Sequence, residues 1–253
     1  MPNWCYSKYV FYKCTEDESE LIRLHRTLSD ILTPSETDKG SDPSWLGNVA
    51  IKHGFDWKEL SCRGTIDHLD EYVLGSGSFM LESETAWAPT DDLWEAVVAQ
   101  YDGIAFVYVA EEPGMEIFIN TDISSAYFSE RYLLDISSYD YIPNGWHVRH
   151  EDYRAEGSEG SEGYDRSDVA DRSDRSDKFD KFDESGKSYW QNQDKPKGLD
   201  VREYFKDFDK LKDYCTELTG QIFSTFNEIS NYFEEIVDKN DCLFAGVYEF
   251  SAA

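Results

Sequence analysis

The sequence predicts an α+β protein in which helices cover one face of an antiparallel sheet. Apolar residues recur at three- and four-residue steps in 90–101 and 201–218, which indicates two amphipathic helices. The short apolar run 104–110 is typical of a strand covered on both faces. A turn signal then leads into a second strand, so helix, strand, turn and strand follow one another directly.

The helix of residues 90–101 has clear signals at both ends. Thr90 follows a proline and can cap the helix, and Asp91 and Asp92 place favourable charges at the positive end of its dipole. Gly103 comes soon after the last apolar residue and is expected to end the helix.

Residues 112–114 are predicted to form a tight turn. Pro113 presets φ at the second turn position, and Gly114 accepts a positive φ at the third. The alternating residues 115–119 are then expected to return as a strand.

Before residue 90, the pattern predicts one strand, two helices and two β-like segments. Residues 6–13 are rich in Tyr, Val and Phe and indicate the strand. Thr15 and Glu18 have the spacing of a capping box, which predicts that a helix begins there. The other expected elements are helices at 21–32 and 45–53 and β-like segments at 57–68 and 72–81.

After residue 119, the pattern predicts two strands and two helices. Asp200 with Glu203, and Thr225 with Glu228, have capping-box spacing. The expected elements are a strand at 131–136, a helix at 201–218, a helix that begins after Thr225, and a strand at 242–250. We therefore expect residues 1–150 to form the α+β core and residues 188–253 to complete the same domain.

Residues 151–187 differ from the rest in composition. Acidic residues fall at every third position between 156 and 183, in triplets such as Arg-Ser-Asp and Lys-Phe-Asp. This period does not match the 3.6-residue repeat of an α-helix, and the segment has few apolar residues to offset its ordering entropy. The segment is therefore expected to be a disordered, solvent-exposed acidic insertion.

The net charge of −28 narrows the possible partners. A chain this acidic repels nucleic-acid phosphates and anionic lipids, so we expect neither direct nucleic-acid binding nor membrane association. No run is long enough to span a membrane. The five cysteines are scattered, with no pair at zinc or redox spacing, which is typical of a reduced, cytoplasmic protein.

Three short segments resemble motifs of the YubB-like proteins of phages, plasmids and other mobile elements. They are Met1-Pro-Asn-Trp-Cys5, Glu84-Thr-Ala-Trp-Ala-Pro89 and Glu112-Pro-Gly114. The family usually has two prolines after a Trp-Ser pair in the second segment, whereas Ala88 and Thr90 stand in place of the serine and the second proline here. The resemblance covers roughly the first half of the chain and implies a ferredoxin-like domain. It implies no reaction and no catalytic residues.

Four residues in or near the segment 90–119 are candidate site residues. A pair among Glu84, Glu111 and Glu112 can serve as acid and base, although adjacent acids at a turn are more often simply solvated. Trp87 can line a binding site, although an aromatic residue at such a corner is more often buried in the core.

No motif predicts a metal or a cofactor. His147 and His150 lack a second pair of ligands, and the acidic triplets lack the ligand pattern of a calcium loop. The sequence contains no phosphate-binding loop, dinucleotide fingerprint or nucleophile elbow. Cys5 has no indicated histidine partner, so a packed thiol is the simpler interpretation.

These observations lead to a functional hypothesis and one alternative. We expect a non-enzymatic acidic protein of a mobile element that binds a host protein. In a narrower version its surface mimics DNA and occupies a nucleic-acid-binding defence protein. The alternative is an enzyme that uses carboxylates near Glu84, Glu111 and Glu112.

Overall fold

A computed structural model describes residues 3–33, 42–138, 141–149, 152 and 198–252. The chain forms two compact units. The first comprises Met1–Leu133, Tyr204–Lys210 and Tyr248–Ala253, and the second comprises Leu134–Glu203 and Leu211–Val247. The predicted insertion at 151–187 lies outside the described residues except for Asp152, which is buried.

The described part of the chain contains eight strands and five α-helices, which confirms the α+β class. The strands are β1 (Trp4–Lys13), β2 (Gly64–Leu69), β3 (Ser78–Ala86), β4 (Ile104–Glu112), β5 (Ile117–Asn120), β6 (Tyr132–Ser138), β7 (Asp200–Phe205) and β8 (Leu243–Glu249). The helices are α1 (Ser19–Leu32), α2 (Leu46–Lys52), α3 (Asp91–Val98), α4 (Phe208–Thr219) and α5 (Phe226–Val237).

The first sheet has the strand order β2-β3-β1-β4-β5, and all its pairs are antiparallel. β1 lies at the centre, between β3 and β4. Tyr6 of β1 is in register with Glu84 on one side and Glu111 on the other. Since side chains that pair across strands point to the same face, this register decides which polar groups meet.

One face of this sheet carries the core of the first unit. Tyr9 and Phe11 of β1 are fully buried and contact Trp94 of α3, with ring centroids 5.6 and 5.2 Å apart. Helix α1 adds Leu21, Leu24 and Leu28 to the same cluster, and helix α2 adds Leu46 and Val49. The apolar stripes read from the sequence therefore place α1, α2 and α3 on this face.

Two local predictions about helix starts have different outcomes. The capping box at Thr15 and Glu18 is wrong, because helix α1 has no side-chain cap at Glu18. The carboxylate of Asp17 accepts the Ser19 N–H instead, at 2.9 Å. At α5 the Thr225 side chain accepts the Glu228 N–H, so the predicted cap is confirmed there.

The predicted turn at 112–114 has another geometry. Pro113–Met115 forms a single 3₁₀ turn, and Glu116, not Gly114, takes the positive φ, at 56°. Gly114 is needed for space, since a Cβ there would lie 2.5 Å from Asn3 Nδ2.

The prediction of one helix over 201–218 is wrong at its beginning. Asp200–Phe205 is strand β7, and helix α4 begins only at Phe208. Val201, Tyr204 and Phe205 fit a helical step, but three residues are too few to decide the period, and pairing with a neighbouring strand decides it instead. The capping box at Asp200 and Glu203 is wrong for the same reason.

The prediction of a single sheet is also wrong. β7 belongs to a three-stranded sheet of order β7-β6-β8, which is separate from the five-stranded sheet. Leu211, Cys215 and Leu218 form the buried face of α4, as the apolar spacing predicts.

A partly buried ionic cluster stabilises the second unit. Arg149 Nε lies 3.0 Å from Asp152 Oδ2, and Arg149 Nη2 lies 2.8 Å from Glu203 Oε1 and 2.9 Å from the Tyr214 hydroxyl. Burial and then the charge of Asp152 raise the pKa of Tyr214, so its hydroxyl stays protonated. This cluster ties Asp152 to strand β7 and helix α4.

None of the helices in the described ranges has the length and apolar character needed to cross a membrane.

Candidate functional site

The structure brings two of the predicted acids to one face of the first sheet. Glu84 and Glu111 flank Tyr6, each one strand away, so their backbones are about 10 Å apart. Glu84 is half-buried, and Glu111 is buried and accepts a hydrogen bond of 2.9 Å from the Tyr204 hydroxyl. The two carboxylates thus lie on the face opposite the helices.

Glu112 has a structural role. Its carboxylate accepts the N–H groups of Gly114 and Met115, so it caps the 3₁₀ turn. The side chain is 2% exposed and comes next along the strand after Glu111. Successive side chains point to opposite faces of a strand, so Glu112 is not on the face of Glu84 and Glu111.

Trp87 is at the surface, so its expected place in the core is wrong. The residue is 44% exposed and has a φ of 71°, a left-handed conformation that is rare for a bulky side chain. Backbone hydrogen bonds to the segments on both sides of β3 hold this bend. The Trp87 N–H donates to the Asn3 carbonyl, and the Ala86 N–H donates to the Arg63 carbonyl. Strained backbone that is held this firmly is typical of functional sites.

The three segments that carried the family resemblance meet at one end of the first sheet. Asn3, from the first, accepts the Trp87 N–H from the second at 2.8 Å. The side chain of Asn3 also lies against Gly114 from the third. Asn3 therefore links all three, and the bend at Trp87 depends on that contact.

Trp87 borders a surface cleft with a volume of about 560 Å³, which is within the range of small-molecule sites. We call this the tryptophan cleft. It is lined by Trp45, Trp57, Lys58, Leu60, Ser61, Cys62, Arg63, Thr85, Ala86, Trp87, Ala88, Pro89 and Thr90. Its two charged lining residues are both basic.

Each basic side chain of the cleft lies over a tryptophan ring. The Arg63 guanidinium is 4.5 Å from the centre of the Trp87 ring, and the Lys58 ammonium is 5.6 Å from the centre of the Trp57 ring. Trp57 also meets Trp45 edge to face, with centroids 5.1 Å apart. Such cation–π contacts hold the positive charges over the aromatic walls.

Two glycines make room for these walls. A Cβ at Gly47 would lie 2.2 Å from the Trp45 ring, so the indole packs directly on the backbone of α2. A Cβ at Gly64 would lie 2.3 Å from the Glu84 carbonyl, so the glycine lets β2 approach β3 beside Arg63.

Thr90 lies beneath the wall of the cleft. The residue is 2% exposed, and its Oγ1 is shielded from solvent beside the Tyr9 hydroxyl. Its N–H donates to the Tyr9 hydroxyl at 3.1 Å, which fixes the backbone. Thr90 precedes α3 but does not cap it with its side chain.

Cys62 is the thiol of the cleft. Burial, and then the charge of Asp92, raise the pKa of Cys62 to about 11. The thiol is therefore protonated at neutral pH and is a weak nucleophile.

We expect two of the five cysteines to react quickly with Ellman's reagent in the native protein at pH 8. Cys14 and Cys242 are exposed, whereas Cys5, Cys62 and Cys215 are buried, with pKa values raised by burial to about 11, 11 and 12. The measurement is the number of thiols titrated before and after addition of guanidinium chloride. Fast reaction in the Cys14→Ser, Cys242→Ser double variant would contradict the burial of the other three.

Sequence reasoning missed Trp45, Trp57, Lys58 and Arg63. The local signal is weak, because Asp56 and Glu59 lie among the basic residues that follow Trp45 and Trp57. Within the described residues, no group of three or more His, Cys, Asp or Glu side chains is placed to hold a metal ion.

Comparisons with known proteins add no relative: no family model, curated protein or solved structure matches the chain.

Proposed function

We propose that this chain is a non-enzymatic interaction protein whose tryptophan cleft is a binding surface. The observation that carries the proposal is the exposed indole of Trp87, held by a strained backbone beneath Arg63. Tryptophan and arginine are the residues that most often dominate binding energy at protein interfaces. Within the described part of the chain, the lining of the cleft contains no carboxylate or imidazole, and its thiol is protonated, which favours binding over catalysis.

We further infer that the first unit has a ferredoxin-like topology. The order β2-β3-β1-β4 supports this, together with two connections that each skip one strand. Helices α1 and α2 connect β1 to β2 past β3, and helix α3 connects β3 to β4 past β1. Strand β5 extends the sheet beyond β4. The same topology is what the resemblance to YubB-like proteins of mobile elements implies.

The proposed partner is a host protein. The net charge of −28 supports a partner whose surface is mostly basic, which it would attract over a Debye length of about 8 Å at physiological salt. The part of the partner that enters the cleft meets Lys58 and Arg63, so that part is not basic. Mimicry of DNA towards a defence protein is the narrower form of this proposal.

The alternative, an enzyme that uses carboxylates, has less support. Neither Glu84, Glu111 nor Glu112 lines the tryptophan cleft. Glu112 already holds the 3₁₀ turn, and Glu111 is bonded to Tyr204.

The test is capture of a purified host partner by wild-type protein and by the Trp87→Ala variant. Loss of a hot-spot tryptophan typically costs at least 2 kcal/mol, so we expect the affinity to fall about thirtyfold. Ile222→Ala is the matched control, because Ile222 is 88% exposed and belongs to the second unit. A partner held equally well by Trp87→Ala would contradict a role for the cleft, and one that stays bound in molar salt would contradict DNA mimicry by charge alone.

A further inference from the structure

We propose that the tryptophan cleft binds a small planar organic anion. The inference rests on the proposed function in one respect, that the cleft is a binding surface, and it adds the chemical class of the ligand. Three features carry it: the sign of the charges in the cleft, the aromatic walls and the acidity of the rest of the chain.

The charges of the cleft select an anion. Lys58 and Arg63 are its charged lining residues, in a chain that has 24 basic and 52 acidic residues. Among the described residues, the lining holds these two basic side chains and no acidic one, which is a local reversal of the overall sign. Just behind the lining, the Asp92 carboxylate accepts the Ser61 N–H at 2.9 Å, and its negative charge offsets part of this reversal.

The walls of the cleft select a planar ligand. Trp45, Trp57 and Trp87 supply large flat surfaces, and flat aromatic rings stack favourably on such surfaces. Arg63 and Lys58 lie over two of these rings. A planar ligand that packs against an indole therefore brings a charged substituent within reach of a cation. The Arg63 guanidinium is itself planar and forms paired hydrogen bonds with carboxylate or phosphate oxygens.

The size of the ligand follows from the net charge. A nucleic acid or an acidic peptide carries many negative charges and is repelled by a protein of net charge −28. A molecule with one or two charges meets little of this repulsion and can be enclosed by a cleft of about 560 Å³. A small molecule is therefore favoured over an anionic macromolecule.

The test uses isothermal titration calorimetry on the full chain with two planar anions, adenosine 5′-monophosphate and 2-naphthoate. Adenosine is the neutral planar control, inorganic phosphate is the non-planar anion, and single-stranded oligothymidylate is the polyanion. We expect at least one planar anion to bind, and the three comparison ligands to bind at least tenfold more weakly. Failure of both planar anions to bind, or equal binding of adenosine, phosphate or oligothymidylate, would overturn the proposal.

Variants then locate the site. Arg63→Gln and Lys58→Gln change exposed side chains and are expected to weaken binding of the planar anion at least tenfold and severalfold, respectively. Arg26→Gln on α1 is the matched control. Equal loss in Arg26→Gln and Arg63→Gln would show a non-specific charge effect and overturn the assignment.

The outcomes separate this inference from the proposed function. If the planar anions fail to bind while the host partner still depends on Trp87, the ligand class is wrong and the interaction function stands. If a planar anion binds through Arg63 and no partner depends on Trp87, the inference stands and the protein-binding function is wrong.

Discussion

Replacement of Trp94 by alanine is expected to lower the free energy of unfolding of the first unit by about 3–5 kcal/mol. Trp94 is fully buried, and its ring contacts those of Tyr9 and Phe11 with centroids 5.6 and 5.2 Å apart. The side chain joins α3 to the central strand β1, so its loss leaves a cavity between helix and sheet. The measurement is urea unfolding followed by circular dichroism.

Two further variants make this prediction specific. The buried Nε1 of Trp94 has no hydrogen-bond partner, so Trp94→Phe loses volume but no hydrogen bond and should cost only about 1–2 kcal/mol. Trp4→Ala removes an indole that is 42% exposed and should cost less than about 1 kcal/mol. If Trp94→Ala destabilised no more than Trp4→Ala, helix α3 would not lie on the sheet.

The second large effect is expected at Asp122, which organises the loop after β5. Its carboxylate accepts the N–H groups of Tyr127 and Phe128 at 2.6 and 3.0 Å and the Ser124 hydroxyl at 2.7 Å. The side chain is 2% exposed. Asp122→Asn removes the negative charge and puts an NH2 group in place of one of the two acceptor oxygens. Since hydrogen bonds to a charged group are the stronger ones, we expect a loss of about 2–3 kcal/mol at pH 7.

The effect should depend on pH. Burial alone would raise the pKa of Asp122, but the Ser124 hydroxyl, the two backbone N–H groups and the charge of Arg131 outweigh it and lower the pKa. Because the folded pKa lies below the unfolded value of about 3.9, the ionised form stabilises the fold. This contribution is complete above the unfolded pKa and is lost as the pH falls through the folded one.

Thermal melts of wild type and Asp122→Asn from pH 7 to pH 2 test this. The difference between them should be largest near neutral pH and should shrink below about pH 4. The matched control is Asp241→Asn, whose side chain is exposed and which should melt like wild type throughout. A difference that stays constant down to pH 2 would contradict the role of the charge.

The three segments that resemble YubB-like motifs all help to position Trp87 at the tryptophan cleft. Asn3 holds the bend at Trp87, and Gly114 leaves the space that Asn3 occupies. Glu112 fixes the turn that contains Gly114. Each of the three segments therefore supports the position of one exposed indole.

The sequence by itself determined the elements whose periodicity is long and unambiguous. The apolar stripes of α1 and α3 predicted both the type of element and the buried face, because an apolar stripe is buried whatever element packs against it. The strongly acidic net charge was likewise readable from composition alone.

Only the tertiary structure decided which residues meet. The local sequence pattern did not predict that residues 200–205 form a strand. Their short helical spacing favours a helix, but pairing with the distant strand β6 stabilises the extended form. The register of β1 between β3 and β4 placed Glu84 and Glu111 on one face of the sheet. Trp87 follows directly after β3 and lines the cleft. The exposure of Trp87 follows from a positive φ held by Asn3, a contact between residues far apart in the chain that no local pattern encodes.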